Sequence, residues 1–270
     1  MSDPVLYDTD GPIATITLNR PDKLNALNAD VIGELDRRLA QAAVDDSVKV
    51  LLVAANGRAF CAGFDMNDEI EEGTETPLEW LPVLRRDHEL TMRIWEFPKP
   101  TIAVVQGYCL GGGCELAMAC DMIIAAEDAR FGEPEIQYGS GPVTLLMPFL
   151  LGQKKTNELL FTGDRINAEQ ALAHGLVNKV VAGDELRSTA RDLALRIAPT
   201  PLPILRLTKQ ALNRAYEAKG LRTAVDANVD ISALINGANT PEQQEFDRIA
   251  AVEGLKAALK WRDSRYGAHR

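Results

Sequence analysis

Cysteine and histidine are scarce. The 270 residues hold 4 Cys and 3 His. Cys61, Cys109, Cys114 and Cys120 form no CxxC pair, and His88, His174 and His269 lie far apart. A zinc site draws on such ligands at short, regular spacing, so this pattern argues against one. The thiols read as buried free cysteines of a reducing compartment, and the cytoplasm is the expected location. Positive charge is also short. With 29 Lys and Arg against 39 Asp and Glu, the formal net charge is −10. That balance disfavours nucleic acid and anionic membranes as partners. No apolar run reaches the ~18 residues of a membrane span. The opening MSDPVLYDTDG has no apolar core of the kind a signal peptide carries. Apolar residues nevertheless make up 46% of the chain, enough for one large domain with a sizeable core, or one domain with a small appendage.

The chain is organised around the stretch from Thr101 to Glu135. Thr101 to Val105 reads as a buried strand. A break at Gly107 leads to Gly111, Gly112 and Gly113, then to a short apolar helix, Cys114 to Cys120, and a second strand, Met122 to Ala126. Strand, glycine turn and helix together aim unpaired N–H groups at an anion. The anion is either a phosphate or the oxyanion of an activated carbonyl. No Lys-Ser or Lys-Thr follows the glycines, so this is no P-loop, and their spacing is not GxGxxG. Glu115 sits one turn into the helix among apolar neighbours. A carboxylate there is costly unless it is paired or its pKa is raised. It is therefore a buried anchor or a working acid or base. Glu133 and Glu135 bracket Pro134 just beyond. Carboxylates beside a backbone oxyanion site suit proton transfer next to a carbonyl.

Residues 107–121, GYCLGGGCELAMACD, and 129–136, ARFGEPEI, closely resemble the crotonase superfamily, and within it the enoyl-CoA hydratases. NRPDKLNAL at 19–27 and RAFCAGFDM at 58–66 match in order and spacing. The resemblance runs from about residue 5 to about residue 260. It implies an α/β fold, a spiral of repeated ββα units over residues 1–198, followed by a helical oligomerisation region over 199–270. It also implies a 2-enoyl-CoA thioester as substrate, no cofactor beyond the substrate's own CoA, and a homo-oligomer, a trimer or a dimer of trimers. In that reading Glu115 and Glu135 are the catalytic pair. The N–H groups of Phe64 and Gly112 form the oxyanion hole. Lys23, Ala26, Ala62, Asp65 and Met66 contact the CoA or acyl part, with Arg20 a further basic residue of the same turn. The scaffold hosts other reactions. The rivals are an enoyl-CoA isomerase, a specialised dehydratase or an aryl-enoyl-CoA hydratase-lyase. A non-catalytic assembly or RNA-binding member is a rival of another class.

The remaining segments frame this core. Ile13 to Leu18 alternates as a half-buried strand, and Asn28 starts a helix with Val31, Ile32, Leu35 and Leu39 on one face. Val50 to Ala54 reads as a strand covered on both sides. The acidic stretch 67–79 reads as a mobile surface loop, and Trp80 to Phe97 as a helix. His88 on that helix reads as a packing residue, with substrate contact the alternative. The turn at 139–144 is shorter than the Gly-rich turn usual for the resembled hydratases, and Pro142 is expected to open the next helix. Lys154 to Leu160 reads as a short helix, with a turn from Phe161. His174 is expected to cap a helix before a final strand, Leu176 to Val181. Near the end, Ala258 and Trp261 stand where the resembled family carries Phe and Lys, leaving Lys256, Lys260 or Arg262 to substitute.

Overall fold

The computed structural model describes residues 3–66 and 73–267. Strands β1 (Val5–Asp10), β2 (Ile13–Leu18), β3 (Val50–Ala55), β5 (Thr101–Val105), β7 (Met122–Ala126) and β10 (Lys179–Val181) form one sheet in the order β1-β2-β3-β5-β7-β10. Only the β1–β2 pair is antiparallel. A second sheet holds the short strands β4 (Ala59–Cys61), β6 (Tyr108–Leu110), β8 (Arg130–Gly132) and β9 (Ile166–Asn167). The chain thus steps from the large sheet to the small one three times, at β3–β4, β5–β6 and β7–β8. Helices α1 (Ala29–Val44), α2 (Pro77–Trp95) and α3 (Gly112–Ala119) lie between these strands in sequence. This is the expected spiral of ββα units.

The wholly apolar strand β3 is buried on both faces, as parallel strands are when helices cover each side. Leu51 and Val53 face the main core with Leu35 and Leu116. Val50, Leu52 and Ala54 face Leu186, Ala190 and Ala194 on the opposite side. Helix α1 begins where its cap predicts, with the Asn28 side chain accepting from the Val31 N–H.

Several boundaries differ from the sequence expectation. Strand β2 is buried along nearly its whole length, because β1 and β3 flank it and its Ile13 enters the second cluster. Helix α2 starts at Pro77, three residues before Trp80, because Thr76 and Glu79 form a capping box and Pro77 fits the first turn. Within the acidic stretch expected to be a mobile loop, residues 67–72 lie outside the described residues. Pro142 opens no helix. The next one, α4 (Met147–Leu150), begins five residues later, while the Pro142 carbonyl accepts from Asn228 and Ser232. Helix α5 (Gln153–Thr162) runs through Phe161 and stops at the left-handed Gly163. Helix α6 (Ala168–Ala173) ends at His174 as expected. Strand β10 starts only at Lys179, because the Leu176 and Val177 N–H groups turn back to the Ala171 carbonyl.

Helices α7 (Leu186–Ile197), α8 (Leu202–Ala218), α9 (Leu221–Asn236), α10 (Pro241–Glu253) and α11 (Leu255–Tyr266) complete the chain. Val229 and Ala233 of α9 pack on Leu84 of α2 and on Val143. Phe246, Ile249 and Ala258 form a small cluster with Met66 and Tyr138. Ile204, Leu207, Leu212, Ile231 and Leu234 remain exposed on α8 and α9.

Candidate active site

Gly111 ends β6 and precedes α3 with φ +53°, a backbone that favours glycine. A side chain there would run into the Glu135 carboxylate. A Cβ at Gly112 would lie 2.7 Å from Cδ2 of the Phe64 ring. The glycines are thus what let the 61–64 loop and Glu135 close onto the start of α3. The 61–64 loop is fixed by a ladder with Leu27, whose N–H donates to the Gly63 carbonyl (2.9 Å) and whose carbonyl accepts from the Asp65 N–H (3.0 Å). Neither hydrogen bond uses the Phe64 N–H. The Gly112 N–H belongs to the first turn of α3, where donors have no intrahelical partner. Among the described residues these two N–H groups meet no acceptor. A Cβ placed on Gly63 would be 3.5 Å from the Gly112 nitrogen, so the two segments lie side by side.

Three buried glutamates surround this point. Glu115 is fully buried, and its Oε1 accepts from the N–H groups of Val143 (2.7 Å) and Thr144 (2.9 Å). Its Oε2 has no partner among the described residues. Burial, together with the nearby Glu135 charge, pushes the Glu115 pKa well above the ordinary carboxylate range, against the pull of those N–H groups. Glu135 is also raised by burial, partly offset by hydrogen bonding to its own backbone and by the Arg262 guanidinium. Glu133 is 1% exposed, and neither of its oxygens has a partner among the described residues. Burial first, then the neighbouring Glu115, Cys114 and Glu135, drives its pKa far up. Such a cluster shares its protons and titrates as a unit.

A small cavity of about 50 Å³ is bounded by Phe64, Gly111, Glu135 and Val143. Next to it lies a larger one of about 250 Å³, and Met66, Tyr138, Ser140 and Asn236 line both. Ala62, Phe64, Met66 and Glu135 line the small cavity, Gly112 lies against the Phe64 ring, and Glu115 is joined to the lining through the Val143 N–H. The other predicted contacts behave differently. Arg20 is not a solvated turn residue. Its guanidinium turns inward to the Ala26 carbonyl (2.7 Å) and to Asp65 (3.1 Å). Asp65, 7% exposed, is held by that ion pair. Lys23 is exposed. Lys256 and Lys260 are exposed, whereas Arg262 is 5% exposed and lies over the Tyr138 ring.

Sequence reasoning missed the groups that orient the glutamates. Val143 and Thr144 supply N–H donors that no side-chain pattern advertises. Tyr138 stacks on Phe246, 108 residues away in sequence, with ring centroids 5.5 Å apart. The one available signal was Glu115 itself, since a carboxylate in an apolar helix needs donors from somewhere.

The family model for enoyl-CoA hydratase/isomerase matches residues 8–257. A short-chain-enoyl-CoA hydratase of Clostridium acetobutylicum is 38% identical over 93% of this chain and 97% of its own. A crotonyl-CoA hydratase of Syntrophomonas wolfei is 34% identical over 97% of each. Among solved structures, an enoyl-CoA hydratase/isomerase from Xanthobacter autotrophicus Py2 is 43% identical with TM-score 0.94, covering 97% of this chain and 98% of that one. Fold and site together define a crotonase-type α/β protein with a buried glutamate cluster at a glycine-rich helix start. The chain belongs to the enoyl-CoA hydratase/isomerase family.

Proposed function

We propose that this chain is an enoyl-CoA hydratase, adding water across the 2,3 double bond of a 2-enoyl-CoA to give a 3-hydroxyacyl-CoA. One observation carries the reading: Glu115 and Glu135 are both present and buried beside two N–H groups that meet no acceptor among the described residues. The thioester oxygen lies between the Phe64 and Gly112 N–H groups. As the water oxygen bonds to C3, the π electrons move onto that oxygen, and the two donors stabilise the charge. Loss of one such donor costs about 3–4 kcal/mol. Glu115 takes a proton from the water, and Glu135 delivers one to C2 as the carbonyl re-forms. Oε1 of Glu115 is occupied by two N–H groups, which leaves Oε2 for the water.

Lys23, Ala26, Ala62 and Met66 contact the CoA or acyl part, with Asp65 holding Arg20 and through it the turn that carries Lys23 and Ala26. No cofactor takes part, and CoA enters with the substrate. The exposed apolar residues of α8 and α9 support assembly of like chains, as a trimer or a dimer of trimers, through the 199–270 helices. The four free, buried cysteines fit the cytoplasm.

The test is incubation of crotonyl-CoA with the wild type and with Glu135→Gln, following loss of the conjugated thioester absorbance. Loss with the wild type alone supports hydration through Glu135. No loss with either overturns the reading for short straight chains and turns the search to an isomerase or aryl-enoyl-CoA reaction on the same scaffold.

A further inference from the structure

Glu115 has no cationic partner among the described residues, so its orientation rests on the N–H groups of Val143 and Thr144. Those two residues belong to neither a helix nor a strand. The segment must be held from outside, and the tethers are specific. On the carbonyl side, the Asn228 amide donates to Pro142 (2.7 Å) and Val143 (3.1 Å), and the Ser232 hydroxyl donates to Pro142 (2.7 Å). On the side-chain side, the Thr144 hydroxyl meets Nδ1 of His88 at 3.2 Å. The other ring nitrogen, Nε2, lies 3.2 Å from Oδ1 of Asp226. Helix α2 thus supplies the ring, α9 supplies the carboxylate that fixes it, and Thr144 is gripped between them.

We propose that His88 is a positioning residue for Glu115, acting through Thr144, with Asp226 fixing the ring from behind. This assignment rests on the hydratase reading only for its kinetic test.

The hydrogen bonds have a definite sense. Asp226 is a carboxylate and accepts, so Nε2 carries the proton. In the neutral ring Nδ1 has a lone pair, and the Thr144 hydroxyl donates to it. That hydroxyl has a single proton, so in the neutral state it serves His88. When the ring is protonated, Nδ1–H donates to the Thr144 oxygen instead. In either state the contact fixes Thr144, whose N–H donates to Glu115. Asp226 and Arg222 from α9 and Glu89 from α2 face the ring, and Thr144 is its contact from the loop. Burial is the largest influence and favours the neutral ring, while Asp226 pulls the other way.

Two amide substitutions separate the ring nitrogens. In His88→Asn the amide falls near Nδ1 and keeps the Thr144 contact. In His88→Gln it reaches toward Nε2 and loses that contact. Thr144→Val removes the hydroxyl and keeps the N–H donated to Glu115. In an enoyl-CoA hydration assay, His88→Gln and Thr144→Val should each lose roughly tenfold in kcat with KM unchanged, the worth of one hydrogen bond. His88→Asn should stay near wild type. Combining His88→Gln with Thr144→Val should cost no more than either alone. Equal losses in His88→Asn and His88→Gln, or an additive double variant, would overturn the assignment.

A second readout needs no turnover. The pH titration of Glu115 is followed by carboxyl-labelled NMR, assigned with Glu115→Gln, in folded protein checked by thermal melt. Displacement of the Glu115 titration in His88→Gln but not in His88→Asn supports the positioning role, whatever substrate the enzyme prefers. An unmoved titration in both overturns it. Failure of crotonyl-CoA hydration with an intact titration effect would count against the proposed reaction alone.

Discussion

A side chain on Gly111 and the carboxylate of Glu135 would occupy the same space. The glycine has φ +53°, so Cβ is disfavoured by the backbone as well as by the neighbour. The turn that opens α3 and the position of the second glutamate are therefore one geometric fact. Gly111→Ala is expected to fold, because the overlap is with one side-chain oxygen, and to displace Glu135. The expected outcome is at least a hundredfold loss in kcat, comparable to loss of a general acid. The melting temperature should drop by only a few degrees. Kinetics and a thermal melt on the same preparation check it. Near wild-type kcat would mean that Glu135 does not depend on this contact.

Glu133 makes a prediction about stability and pH. Its folded-state pKa lies far above the usual value of 4.5 because burial penalises the charge. The folded protein then holds a proton that the unfolded chain releases. The associated stability is fully present below the unfolded pKa and is lost as pH rises toward the folded value. Across that window the slope approaches about 1.4 kcal/mol per pH unit for one proton. Glu133→Gln cannot titrate. Urea midpoints at pH 5, 6, 7 and 8 should show the wild type losing stability relative to the variant as pH rises. A constant difference across the series would show that Glu133 titrates normally.

How much of this was legible in the sequence follows from the range of the interactions. Local signals worked. The apolar run Val50 to Ala54, the Asn28 cap and the lone carboxylate of Glu115 each predicted what the structure shows, because each depends on neighbours within a turn or a strand. The short strands at 59–61 and 108–110 are three residues each, too short for periodicity to register. The Pro142 ring suits a helix start, which is what the sequence leads one to expect there. Its carbonyl instead serves Asn228 and Ser232, some ninety residues on, and no local rule reaches that far. The sequence marks Arg20 as a further basic residue of the turn that holds Lys23, and its charge is taken by Asp65, 45 residues on.

Arg262 distinguishes the roles of the two glutamates. It comes from α11, is 5% exposed, lies 5.9 Å over the Tyr138 ring and pairs with Asp263 at 2.7 Å. Its charge lowers the Glu135 pKa against the larger effect of burial. Arg262→Met keeps the packing stem and removes the charge, so the Glu135 pKa rises further. If Glu135 is the acid that delivers the proton to C2, it must be protonated to work, and the basic limb of the kcat profile moves to higher pH. If Glu135 is instead the base, the acidic limb moves to higher pH. A kcat profile of wild type and variant decides between the two assignments, and an unshifted profile would show that Arg262 does not act on Glu135.

The Phe64 ring and Gly112 are in contact, and this separates what the backbone does from what the side chain does. The proposed role of Phe64 belongs to its N–H, which is fixed by the Leu27 ladder on either side of it. Phe64→Leu leaves that ladder intact and removes part of a half-buried ring, so kcat should fall less than about threefold. Gly112→Ala drives a methyl into the ring, with Cδ2 at 2.7 Å and Cζ at 2.8 Å from the new Cβ. The ring must then move, or α3 must. Either shift separates two donors that need to converge within hydrogen-bond distance of one oxygen. Gly112→Ala should therefore lose roughly 10²-fold in kcat. In the Phe64→Ala background the clash is absent, and the same substitution should cost far less. Kinetics on the four proteins of this cycle measure the coupling directly. If Gly112→Ala is equally damaging with and without the ring, the contact is not the cause, and the role of the Gly112 N–H must be sought in the backbone of α3 alone.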